Sequence, residues 1–87
     1  MNTDAFRKAL LEDGFTVVER SVAPNSSLEE HDHAWEVKAM ITAGSFYVHT
    51  EAEQKTYAEG EVFNLTANEP HTEGAGENGA SLLIGRK

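Results

Sequence analysis

The chain has 87 residues, with 15 acidic against 7 basic side chains, a formal net charge of −8 and no cysteine. That length holds one domain with a modest core and excludes a two-domain enzyme. Without cysteine there are no disulfides, thiolate zinc sites, iron–sulfur clusters or Cys nucleophile. The acidic balance opposes phosphate backbones and anionic headgroups, so neither nucleic acid nor a membrane is expected as a partner. No apolar run approaches the roughly 20 residues of a membrane span. The start, MNTDAFRKALLEDG, has charges throughout and lacks the apolar stretch of a signal peptide, so a cytoplasmic location is expected. A thin core without disulfide staples often gains stability by self-association, which makes a homodimer the expected assembly.

Residues 1–14 read as a helix. Thr3 is the predicted cap, Asp4 suits the positive end, and Phe6, Ala9 and Leu10 recur at helical spacing before Gly14 ends the run. Beyond Gly14 the period changes. Phe15–Ala23 is rich in β-branched residues and bounded by Gly14 and Pro24, as a strand should be. A turn at Pro24–Ser27 leads to a short polar segment, Leu28–His33. Strands are then predicted at Val37–Thr42, Ser45–Thr50, Lys55–Ala58 and Val62–Thr66, with turns at Ala43–Gly44, Glu51–Gln54 and Ala67–Pro70. A strand from His71, a Gly-rich loop at Gly74–Gly79 and a last strand at Ala80–Gly85 complete the chain. Seven or eight short strands at close intervals, with no helices between them, predict an all-β fold. The expected architecture is one domain over 1–87: a short N-terminal helix (1–14) and an antiparallel β-barrel or jelly roll (15–86).

Chemistry concentrates in two places. In His31-Asp32-His33 the two imidazoles share a face if the segment is a strand, because residues i and i+2 point the same way. Paired neutral imidazoles are a natural start to a transition-metal site, although an HxH by itself is equally at home in a solvated acidic loop. The second place is Gly60–His71. Asn68 suits a left-handed turn position, and Pro70 sets the entry of His71 into a strand, where it can face His31 and His33. His49 has the wrong parity relative to Phe46 and Val48 and reads as a surface histidine. Phe46, Val48 and Phe63 read as core, and Trp35 as packing or as the mouth of a pocket.

These residues resemble the cupin superfamily, and within it the small single-domain bacterial members. The first cupin motif, G-x5-HxH-x3,4-E-x6-G, is matched at His31, His33 and Gly44. The second, G-x5-P-x-G-x2-H-x3-N, is matched at Gly60, at His71 and, with Asn in place of Gly, at Asn68. Fifteen residues, Ser45 to Glu59, separate the motifs, similar to the compact spacing of that subgroup. The resemblance runs from about Phe15 to Arg86. It departs from the pattern at Asn25, Thr66 and Ala75, and at the glutamate that should follow the HxH. That place falls on Val37 or Lys38 here, while Glu36 comes one residue early.

The resemblance implies a divalent transition metal (Fe, Mn, Ni or Zn) held by His31, His33 and His71. Glu36 completes the set only if a bulge shifts its parity; Glu73, two residues after His71, shares the face of that histidine and is the rival. The implied partner is a small-molecule substrate or ligand. A strongly anionic one is not expected, because Lys38 is the only cationic residue near either motif. The competing reading is a metal-free, non-catalytic barrel that binds or senses a small ligand.

Overall fold

The computed structural model describes residues 2–87. One helix, α1 (Thr3–Glu12), precedes six strands: β1 (Thr16–Val22), β2 (Ser27–His31), β3 (Val37–His49), β4 (Gln54–Ala58), β5 (Val62–Leu65) and β6 (His71–Arg86). The helix is capped by Asn2 and not by Thr3: the Asn2 side-chain oxygen accepts from the Ala5 N–H at 2.9 Å, one of the free donors that every helix start must satisfy. At the other end Gly14 takes φ +85°. The N–H of Phe15 then reaches the Leu10 carbonyl at 2.9 Å, and that of Gly14 the Leu11 carbonyl at 3.1 Å. This cap turns Phe15 back over Leu10, and both side chains are buried. They close over Gly85 of β6, where an added Cβ would meet Leu10 at 2.8 Å and Phe15 at 3.0 Å.

All strands belong to one antiparallel sheet of order β1-β6-β3-β4, with β2 also paired to β6 and β5 to β3. The sheet is not a closed barrel. The expected architecture is therefore right in its antiparallel sheet and short leading helix, but not in closure or in the number of strands, six where seven or eight were expected. Two expected turns are also absent. Val37–Thr42 and Ser45–Thr50 are one 13-residue strand that passes through Gly44 with register shifts on either side, and Gly74–Gly79 lies inside the 16-residue β6. The glycines there serve close approach between strands, not a loop. Gly44 has φ +74° with Gly79 at φ +73°, and a Cβ on Gly44 would run into the Gly79 carbonyl.

β3 and β6 pair along nearly their whole lengths and form the spine. Their inner face gathers Ala39, Ile41, Phe46, Val48, Ala75, Leu82 and Ile84, joined by Tyr57 and Phe63 from the flanking strands. Phe46 and Phe63 stack at 5.9 Å between ring centroids. Phe46, Val48 and Phe63 thus stand in the core, as the alternation predicts. One end of this apolar trough carries polar side chains instead, and the candidate site lies there.

Candidate metal centre

His71 opens β6, delivered by a turn in which Asn68 takes φ +62°, as its position predicts. The Asn68 N–H donates to the His33 carbonyl at 2.6 Å, so one turn both launches His71 and pins the loop that carries His33. Glu73 follows two residues later on the inner face. His71 is 1 % exposed and Glu73 6 %.

His31 reaches the same face by a less direct route. In the β2–β6 pairing Leu28 lies opposite Glu73, and His31 lies opposite His71. Three steps along β2 match two along β6, so β2 carries one extra residue at Glu29–Glu30, a β-bulge. Unbroken alternation from Leu28 would turn Glu30 inward and His31 out to solvent; the bulge reverses that. His33 lies beyond the end of β2, in the loop before β3. The two histidines of the HxH therefore do not share a strand, and their convergence depends on the bulge and on the Asn68 contact.

The result is a compact group. One donor atom from each of His31, His33, His71 and Glu73 lies within 4.8 Å of every other. His31 Nε2 and His71 Nε2 approach the same Glu73 Oε1, at 3.0 and 3.1 Å. Glu36 stays outside: it is exposed, and its backbone pairs with that of Lys87. His49 also lies elsewhere, with its ring 4.7 Å from Tyr47.

The hydrogen bonds on the far side of the rings decide what the near side offers. His31 Nδ1 lies 2.8 Å from the Glu29 carbonyl and His71 Nδ1 lies 2.9 Å from the Glu69 carbonyl. A carbonyl only accepts, so each Nδ1 carries its proton, and a neutral ring then presents a bare Nε2 lone pair. Two such lone pairs aim at a carboxylate oxygen that also only accepts. Unless a proton or cation stands between them, three acceptors face one another. Ligating histidines with the far nitrogen tied to a carbonyl are the usual second layer of a metal site, so this donor set fits a divalent cation.

Arg20 of β1 donates to Glu73 Oε2 at 2.8 Å and leaves Oε1 to the histidines. Burial alone would raise the Glu73 carboxyl; the Arg20 hydrogen bond and charge, with His31 and His71 beside it, outweigh burial and hold it below the ordinary carboxylate range. His33 is pushed below its ordinary value by burial first and then by the neighbouring His31 and His71, with Glu73 opposing and Arg86 adding to the shift. A neutral His33 is a competent donor.

Above the group opens a cavity of about 260 Å³. His31, His33 and Glu73 stand at one end, Phe46, Phe63, Leu82 and Ile84 form an apolar floor, and Trp35 and Arg86 stand beside them. The expectation that no cation but Lys38 approaches the motifs is overturned here, since Arg20 and Arg86 both line this cavity. Arg20 comes from β1, and Arg86 from the far end of the strand that His71 opens. Their signal was parity: Arg20 alternates with the half-buried Val18 and Val22, and Arg86 with Leu82 and Ile84, so each is a charge on the inward register of its strand.

No family model matches the sequence, and no curated protein is similar to it in sequence. Solved structures are similar in fold. A protein of unknown function from Rhizobium leguminosarum superposes with TM-score 0.79 at 24 % identity, over 85 % of this chain and 70 % of that one. The polyketide cyclase RemF from Streptomyces resistomycificus gives 0.67 at 25 % identity, over 87 % and 58 %. An RmlC-like cupin from Shewanella frigidimarina gives 0.71 at 15 % identity, over 83 % and 65 %. The chain therefore spans less than two thirds of the last two proteins. The class defined by the fold is the cupin, and this chain has the cupin fold.

Proposed function

We propose that the chain is a small metal-binding cupin that presents a divalent transition metal to a small molecule in its cavity. The observation that carries this reading is the opposition of the His31 and His71 Nε2 lone pairs to Glu73 Oε1, with both Nδ1 protons tied to backbone carbonyls. His31, His71 and Glu73 would hold the ion, with His33 as the third imidazole. Glu36, exposed and paired to the far end of the chain, has no part in it. Imidazole and carboxylate donors suit Fe, Mn, Ni and Zn alike. Bound there, the ion would supply Lewis acidity toward a carbonyl or water. Arg20 keeps Glu73 ionised and oriented, and the Phe46–Phe63 floor excludes water from one side.

Similarity to a polyketide cyclase at 25 % identity adds a catalytic precedent on this fold, which favours an enzyme over a passive binder. A homodimer belongs to the same reading and is supported by the small core and the unclosed sheet; sedimentation velocity checks it. No helix among the described residues is long and apolar enough to cross a membrane.

The decisive measurement is elemental analysis of protein purified without a polyhistidine tag, beside His33→Ala and His71→Ala. Stoichiometric metal in the wild type that disappears from both variants is the expected result. A metal-free wild type, with both variants folding unchanged, would return the chain to the alternative of a metal-free ligand-binding barrel.

A further inference from the structure

Arg86 ends β6 on the inward register, opposite Thr16 of β1 and Val37 of β3. Its guanidinium carbon lies 5.2 Å from the centroid of the Trp35 ring, and that ring is stacked 5.2 Å from His33 at an interplanar angle of 11°. Trp35 is 37 % exposed and Arg86 is exposed, so both stand at the cavity mouth. Ion pairs engage Arg7, Lys8, Arg20 and Lys87; among the described residues no carboxylate lies within ion-pair distance of Arg86. Lys38 and Lys55 are likewise without an ion pair, but neither lines the cavity. The charges lining the cavity are Arg20, Glu73 and Arg86. Arg20 and Glu73 satisfy each other, so one positive charge is left over at the mouth, held on an aromatic face that keeps the guanidinium edge free to bond.

The volume and walls limit what that charge can meet. About 260 Å³ is small for a ligand site, and the floor is apolar and aromatic. We propose that the cavity takes a small monocarboxylate with a flat apolar body, its carboxylate bidentate on Arg86 and its ring or chain against Phe46, Phe63 and Leu82. This rests on the metal-site reading only for what the far end of the ligand meets. A guanidinium reads a carboxylate through two parallel N–H donors, which a neutral amide of the same shape cannot match.

The test uses benzoate and its neutral counterpart benzamide, with Trp35, the single tryptophan, as fluorescent reporter. Titrations are made on the full-length protein as purified and after dialysis against a chelator, and on Arg86→Gln and Arg86→Lys. Because Arg86 is exposed, both variants should fold. Saturable binding of benzoate about tenfold or more tighter than benzamide is expected, with and without chelator. Arg86→Gln should bring the two within about threefold, and Arg86→Lys should retain part of the preference. Equal binding of both probes, or binding of neither, overturns the proposal. So does a preference that survives Arg86→Gln. If that surviving preference disappears with the chelator, the carboxylate is read by the metal, which sinks the role of Arg86 while upholding the metal site.

Discussion

The two faces of β6 are built under opposite rules. On the outer face, Leu10 and Phe15 close on Gly85 in a contact made wholly of apolar atoms, locked by a helix cap that satisfies its own backbone groups. On the inner face, His71 Nε2 and Glu73 Oε1 stand 3.1 Å apart in a place almost closed to water, where only a proton or a cation between them makes the contact favourable. The outer contact is what a stable fold selects. The inner one is an arrangement that the fold tolerates, because burying unmatched polar atoms costs stability. The difference suggests that stability and binding are separable in this molecule, and each variant below tests that separation.

The largest effect is expected from Leu10→Ala. Truncating a fully buried leucine above Gly85 should cost about 2–5 kcal/mol, read by chemical denaturation, while metal content per folded molecule stays at the wild-type level. A loss of metal in step with stability would join the two faces again.

Glu73→Gln sharpens the contrast from the other side. A glutamine amide can turn its oxygen to Arg20 and offer two N–H donors to the facing Nε2 atoms, converting opposed acceptors into hydrogen bonds of about 1 kcal/mol each. The same change removes the charge that Arg20 pairs with, so gain and loss offset and the chelator-treated variant should melt within a few degrees of the wild type, while its metal affinity falls at least about tenfold. A clear drop in its melting temperature would remove the argument from opposed lone pairs.

Acid should destabilise the chelated protein through two groups. His33 lies below its ordinary 6.5, so as pH falls past 6.5 the unfolded chain takes up that proton first, and stability declines until the folded value is reached. Glu73 lies below its ordinary 4.5, so its contribution is present above 4.5 and is lost as pH falls through the folded value. Melting temperature against pH should therefore fall in two stages, and His33→Asn should flatten the upper one alone. The smallest effect belongs to Asn2→Ala, which removes the cap of α1 for about 1 kcal/mol and should leave metal content untouched.

Much of this was legible in the residues. Gly14, Gly60 and Asn68 all take positive φ where turn chemistry asks for it, whereas Gly44 takes it inside a strand. The three histidines were legible as a group because two motifs lie in register. Two kinds of information were not local. Gly74 and Gly76 read as a loop because nothing in the adjoining sequence shows that Tyr47 and Ser45 crowd their Cα atoms from the neighbouring strand. Arg20 and Arg86 lie outside both motifs, one on β1 and the other at the far end of the His71 strand, and only their inward parity marks them. The competition between Glu36 and Glu73 turned on a bulge, and the bulge lies in β2, not around Glu36.

That bulge makes the site depend on a residue count as well as on residue identity. Neither Glu29 nor Glu30 sends a side chain into the His–Glu group. Yet shortening this stretch by one would rotate His31 out of the cavity, leaving His71 and Glu73 in their places on β6. A chain so altered would keep every histidine and both motifs to a reader who scans for letters, and would have lost one arm of its site. For this protein, the spacing upstream of the HxH is as much a part of the motif as the histidines themselves.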